Sequence, residues 1–158
     1  MKFARLLVAV VGLGGAAPLL AHNVNPLLQY TMKALAKDTE EVGAPARFPD
    51  PADVLDAVIL NAVARARTAN FALDLVKQRR GGEMEPGGFD ELPPAQRLAK
   101  QELLATHLQR AIDKLNECEQ ILLVQFAKDA EQRDFRALKT RLSELEAIIV
   151  EAHRLFRP

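Results

Sequence analysis

The chain has 158 residues, 49% of them hydrophobic and 27% charged, and this composition fits one globular domain better than a disordered chain. Its 21 basic residues balance its 21 acidic residues, which argues against nucleic-acid binding driven by net charge. Aromatic residues make up only 5%, and no alternating run typical of a β-strand follows residue 12, so we predict an all-α protein.

Residues 1–21 have the layout of a secretory signal peptide. Lys2 and Arg5 give a basic start, and an apolar stretch and then small residues and Pro18 follow. Cleavage after Ala16 is acceptable, with Gly14 three positions from the cut, and cleavage after Ala21 has the less suitable Leu19 there. The alternative is a retained anchor or another membrane-embedded N-terminus, although residues 6–21 fall short of the ~20 residues that a spanning helix needs. We predict a signal peptide or membrane anchor over 1–21, a bundle domain over 22–158, and a periplasmic, secreted or membrane-anchored location.

A short helix is predicted over residues 26–41. Pro26 suits the first helical position, and Leu28, Met32 and Leu35 share one face. Gly43 is expected to end this helix in the left-handed conformation.

A long helix is predicted over residues 51–80. Asp50 is a suitable N-cap and Pro51 a suitable first helical residue, while Gly81 would end the helix. Its apolar residues recur at steps of four and three: Leu55, Ile59, Ala62, Ala66, Ala69, Leu73 and Val76. We call such a heptad-spaced apolar row a seam. The alanines in the middle of this seam allow a neighbouring helix to approach closely.

Two further helices are predicted over 94–128 and 130–157, after a Gly- and Pro-rich linker at 81–93. Leu122 and Phe135 lie 13 residues apart, where an unbroken heptad needs 14, and the polar residues between them include the candidate N-caps Asp129 and Asp134. We therefore expect a break near 128–134; the alternative is one bent helix of ~60 residues. The first of the two seams contains Leu104, Leu108, Ala111, Leu115, Cys118 and Leu122, and the second contains Phe135, Leu138, Leu142, Leu145, Ile149, Ala152 and Phe156.

These elements predict an antiparallel helical bundle of three long helices plus one short N-terminal helix. Sustained heptad seams are the pattern by which helices pack on one another, within one chain or between coiled-coil partners. Because both uses have the same pattern, the oligomeric state stays open.

His107 and His153 are the candidate metal ligands, because a hairpin that turns near residue 131 places residue 107 roughly opposite residue 155. The interpretation that the sequence favours is two partly exposed surface histidines. Neither histidine has a Glu three residues before it, so the ferritin-like di-iron motif is absent. The chain also lacks the Cys-x-x-Cys-His motif that attaches c-type haem.

No residue suggests nucleophilic catalysis. Ser143, the only serine, falls at a solvent-facing heptad position, and Cys118 falls in a seam, where a small core side chain is favoured over a disulfide between two chains. We therefore predict that the protein is not an enzyme and carries no cofactor.

The functional prediction is a structural or interaction module that is exported or membrane-anchored. It would bind a protein partner or a second copy through its helical seams, as an accessory subunit of an envelope or membrane complex, with membrane association through residues 6–21 and no nucleic-acid partner. The alternative is a small periplasmic bundle that binds a metal or haem, similar in role to a stress sensor or a chaperone.

Overall fold

All regular structure in the computed structural model is helical; the model describes residues 26–79, 85–86 and 88–156. The α-helices in these ranges are α1 (Pro26–Val42), α2 (Asp56–Gln78), α3 (Pro94–Phe126) and α4 (Arg136–Phe156). The predicted all-α class is therefore confirmed for this part of the chain. None of these four helices is both long and apolar enough to cross a bilayer. The signal peptide or anchor predicted over 1–21 lies outside the described residues.

One hydrophobic core joins the helices, and the predicted seams supply most of it. Every member of the α3 seam, from Leu104 to Leu122, is buried, and so is every member of the α2 seam from Ile59 to Val76. Burying one such leucine or isoleucine contributes about 1.5–3 kcal/mol relative to leaving it exposed. The helical bundle thus follows from side chains that the sequence pattern had placed on the correct faces.

The seam of α4 is buried less completely. Phe135, Leu138 and Leu145 are buried, whereas Leu142 and Ile149 are only partly covered. Ile148, which lies outside the predicted seam, is also buried. On a helix this residue is turned about 100° from Ile149, so the buried face of α4 is broader than a strict heptad row.

Polar pairs across the helix interfaces show how neighbouring helices are aligned. At each interface, the residue number increases along one helix while the number of its partner decreases along the next. Between α2 and α3 the pairs are Arg67 with Glu119, Asn70 with Asn116 and Lys77 with Gln109. Between α3 and α4 they are Arg110 with Glu151 and Lys114 with Glu144. Between α1 and α2, the buried Asp38 accepts a hydrogen bond of 3.0 Å from Arg65.

The predicted start of α2 at residue 51 is wrong. The Asp50 side chain does accept a bond from the Ala52 amide (2.9 Å), but it caps only a 3₁₀ turn at Pro51–Asp53, and α2 begins at Asp56. Val54 is buried in an extended conformation between the two, which leaves Leu55, predicted to lie in the seam, 70% exposed. Tertiary burial of Val54 has outweighed a strong local start signal.

Arg133 holds this kink against the connection between α3 and α4. Its side chain is buried, donates to the Val54 carbonyl oxygen (2.5 Å) and pairs with Asp56. We call the contact between residues 51–56 and 127–135 the turn end of the bundle.

The break expected near residues 128–134 is present, between Phe126 and Arg136. The Asp129 side chain makes no capping bond, but Asp134 does, because its Oδ1 accepts from the Arg136 amide at 2.9 Å. The buried Gln125 side chain accepts from the Asp134 amide (2.8 Å) and so fixes the turn. Residues 95–157 do not form one bent helix.

Gly43 does not adopt the predicted left-handed conformation. Its φ is −79° and its ψ is −6°, and the chain continues into a 3₁₀ turn at Ala44–Arg47. A Cβ at this position would lie 3.2 Å from the Leu142 Cδ1. A larger residue here would require Leu142 to shift by a few tenths of an ångström, so this glycine lies in a close contact with α4 and does not act as a left-handed helix stop.

Candidate functional site

The described residues of the predicted linker are packed against the bundle. The buried carboxylate of Glu85 accepts from Arg97 Nε (2.7 Å) and Gln101 Nε2 (2.8 Å), and its second oxygen pairs with Arg97 Nη2. The hydrogen bond from Arg97 to Glu85 raises the pKa of the guanidinium above its ordinary value. We call residues 85–86 and 88–93, with the first three turns of α3 and the last two of α4, the linker end of the bundle.

Phe89 is the hydrophobic anchor of the linker end. It is 2% exposed, its ring centroid lies 6.2 Å from that of Phe156, and Lys100 Nζ lies 5.5 Å above the ring. Sequence reasoning missed this residue, since it assigned 81–93 to a linker without regular structure. The available signal was a single aromatic side chain among Gly, Pro and acidic residues.

His107 contacts Phe156, the same ring that Phe89 contacts. It is 5% exposed, so its predicted partial exposure is wrong. The ring meets Phe156 edge-on at 5.7 Å, and Nδ1 lies 3.0 Å from the Leu103 carbonyl oxygen. That oxygen is an acceptor, so the arrangement favours a proton on Nδ1.

The second nitrogen of His107 faces Glu151, not His153. Nε2 is buried without a hydrogen bond and lies 3.5 Å from Glu151 Oε2, an oxygen that also accepts from Arg110 Nη1 at 3.0 Å. His153 is half-buried on α4, and two residues of helix turn it about 200° from Glu151. The structure therefore places His107 on α3, facing the Glu151 side of α4, and places His153 on a different side of α4.

This arrangement is suited to joining helices. Glu151 pairs with Arg110 across the α3–α4 interface, beside His107, and a metal ion at Nε2 would have to displace the arginine from the carboxylate oxygen that lies near both. No group of three His, Cys, Asp or Glu side chains able to hold a metal occurs within 26–79, 85–86 and 88–156. A metal site at His107 and His153 stays a prediction.

Cys118 and Ser143 lie where their heptad positions placed them. The cysteine is a free, fully buried thiol, and burial, helped by the nearby Glu117, raises its pKa to about 12. A thiol that stays protonated at neutral pH is a poor nucleophile. Ser143 is exposed on α4.

A ring of four charges crosses the α3–α4 interface beside Cys118. Lys114 Nζ contacts Glu117 (2.9 Å) and Glu144 (3.0 Å), while Arg141 contacts the same two carboxylates at 2.6 and 2.8 Å. Hydrogen bonds from Lys114 and then Arg141 lower the pKa of Glu144. Sequence reasoning missed this ring, because its members on α3 and on α4 are distant from each other in the chain.

Comparison of the chain with protein-family models, with curated proteins and with solved structures gave no match. The function is therefore argued from the residues alone.

Proposed function

We propose that this protein is a structural or interaction module rather than an enzyme: an exported or membrane-anchored antiparallel helical bundle that binds a protein partner or a second copy. In this role it is an accessory subunit of an envelope or membrane complex, periplasmic or secreted, with residues 6–21 as its signal or membrane attachment. It needs no cofactor.

The observation that carries this proposal is that α2 has apolar side chains on two opposite faces. One face is the seam from Ile59 to Val76, which is buried in the core. The other exposes Leu60 and Phe71 to solvent. Exposed apolar side chains that share one face of a helix form a small patch of the kind that is often a contact surface.

Two features support the antiparallel arrangement within the proposal. The numbers of paired residues run in opposite directions at both the α2–α3 and the α3–α4 interfaces. The connection between α3 and α4 spans only residues 127–135, and short connections are typical of antiparallel neighbours.

A metal- or haem-binding bundle is the second candidate, and one observation favours it. The Nε2 atom of His107 is buried without a hydrogen-bond partner, which is uncommon for a polar atom. Metal analysis and an absorption spectrum of the full chain from its native source distinguish this candidate, because a bound ion or haem would be detected directly.

The test of the proposed function is affinity purification of the chain from its native source, followed by intact-mass analysis of everything recovered. We expect a co-purifying protein or a second copy, and a chain mass that shows whether cleavage follows Ala16 or Ala21. A monomer without any partner, or one that carries a stoichiometric cofactor, would contradict the proposal.

A further inference from the structure

The outward face of α2 carries a second apolar row that no described helix covers. We call this row the outer stripe. All of its members are exposed, and they are three, four and seven residues apart in the sequence: Ala57, Leu60, Ala64 and Phe71. Leu60 is 47% exposed and Phe71 is 72% exposed. The outer stripe has heptad spacing, as the buried seam of α2 does, on the opposite side of the helix.

The position that the heptad would assign between Ala64 and Phe71 is Arg67. Its Nε donates to Glu119 of α3 at 2.7 Å, so the guanidinium is drawn toward the edge of the stripe. The small Ala64 side chain next to it leaves room for another helix backbone.

Charge at the two ends of α2 selects the direction of a partner helix. Asp53 is exposed at its start and Arg79 is exposed at its end, whereas the neighbouring Asp56 and Lys77 already pair with Arg133 and with Asp74. An identical helix in the opposite direction places acids against bases, whereas one in the same direction places like charges together. An opposed copy also brings Phe71 of one chain against Leu60 of the other, with Ala64 beside the twofold axis.

We infer that the outer stripe binds a second copy of this chain through an antiparallel α2–α2 contact about a twofold axis. The inference rests on the proposed function, because it names the partner of the interaction module. A stripe of this length exposes on the order of a few hundred Å², less than the ~800 Å² per partner of a stable interface. The dimer is therefore weak and depends on concentration.

Paired cysteines test the geometry directly in the full chain, purified in mild detergent. In Leu60→Cys/Phe71→Cys, the two positions are separated by about 16 Å along one helix, too far for a disulfide within a chain. In the antiparallel dimer, position 60 of each chain lies next to position 71 of the other chain across the axis. The native Cys118 is buried and does not interfere.

We expect the double variant to give a disulfide-linked dimer under mild oxidation, at a level at least about tenfold above either single variant. Equal cross-linking of the single variants would show a parallel or non-specific contact and overturn the inference. If no variant cross-links, sedimentation of the native chain decides, and a chain that is monomeric throughout overturns the inference. The matched control is Leu103→Cys/Val124→Cys on α3, at two exposed apolar positions, which should form no disulfide-linked dimer.

A second measurement covers the case in which the disulfide geometry is unfavourable. Sedimentation of the native chain over a concentration series should show a monomer–dimer equilibrium that Phe71→Glu abolishes and Val124→Glu leaves unchanged. A chain that is monomeric throughout would overturn the inference.

Two other occupants of the stripe are distinguished by the same variants. If Phe71→Glu removes a different protein from the native-source purification while the chain stays monomeric, the stripe serves another partner; the inference then fails and the proposed function stands. If it instead releases the monomeric chain from lipid vesicles, the stripe faces a membrane and the inference fails. If no partner of any kind is found, both fail.

Discussion

The two ends of the bundle are closed by different chemistry. At the turn end, Arg133 is buried and donates to the Val54 carbonyl and to Asp56, so a polar contact ties two connections together. At the linker end, two side chains are buried. The Phe89 ring packs on Phe156, which is distant in sequence, and the Glu85 carboxylate pairs with Arg97 in the helix that follows the linker.

The difference shows how a segment rich in glycine and proline can be ordered without regular structure. The described backbone of the linker end has few hydrogen bonds of its own, among them Leu92 N–H to the Phe89 carbonyl at 3.2 Å. Two side chains therefore carry most of its attachment. The turn end, in contrast, combines a 3₁₀ turn, a capped helix and the Arg133 contact, so the loss of one contact should be tolerated better there.

The largest effect is expected at the linker end, from Phe89→Ala. Removal of a buried phenylalanine typically costs 3–5 kcal/mol, and because the linker can partly collapse we expect about 3 kcal/mol. Urea unfolding followed by circular dichroism measures the change. Phe71→Ala at low protein concentration is the matched control, because the same truncation at a 72% exposed position should cost under about 0.5 kcal/mol. Equal losses in the two variants would show that Phe89 is not an anchor.

At the turn end, Arg133→Met should cost about 2 kcal/mol, because a buried charge-assisted hydrogen bond to Val54 is lost while the methionine keeps most of the volume. Asp56 is mostly exposed and is rehydrated when its partner leaves, which limits the penalty. Arg136→Met, at an exposed arginine three residues later, is the control and should change the urea midpoint little. A cost above that of Phe89→Ala would reverse the proposed order of the two ends.

The sequence predicted elements where local pattern and tertiary packing agree. The α3 seam, and the α2 seam from Ile59 onward, were placed correctly, because heptad spacing and burial are two aspects of the same helix face. The starts of α1 and α3 were also predicted correctly, at Pro26 and Pro94, but the start of α2 was not. Asp50 and Pro51 carry every local start signal, yet the burial of Val54 and the contact with Arg133 delay that helix to Asp56.

The contacts around His107 could be predicted only in part. The predicted hairpin register placed the C-terminal part of α4 opposite residue 107, and the ring contact between His107 and Phe156 agrees with that register. The rotation of α4 that presents Glu151 rather than His153 depends on which face of that helix is buried, and the strict seam omitted Ile148. The Phe89 anchor had no periodic signal at all, because it comes from a loop.

A smaller and local effect should follow Glu85→Gln. The amide keeps an acceptor for Arg97 or Gln101 but loses the negative charge, so the linker end opens more often while the helices stay folded. We expect amide exchange at Phe89 and Leu92 to accelerate roughly fivefold, with α3 unchanged beyond its first turns. The control is Glu102→Gln, at an exposed position one residue beyond Gln101. Unchanged exchange in the Glu85 variant would mean that the aromatic contact alone holds the linker.

The smallest effect is expected from acid titration at the turn end. Hydrogen bonds from the Arg136 guanidinium, and then from its amide, lower the pKa of Asp134 from 3.8 to about 2. A depressed carboxyl pKa stabilises the fold above about pH 4, and this contribution is lost as the pH falls toward 2. The urea midpoint of the native chain should therefore drop across this window slightly more than that of Asp134→Asn, which still offers an acceptor to the start of α4. Asp129→Asn is the matched control, because that side chain makes no capping bond and its removal should leave the slope unchanged. If the native chain and the Asp134 variant kept a constant difference from pH 5 to pH 2, the contact would act by shape alone, and its charge would contribute nothing to the turn end.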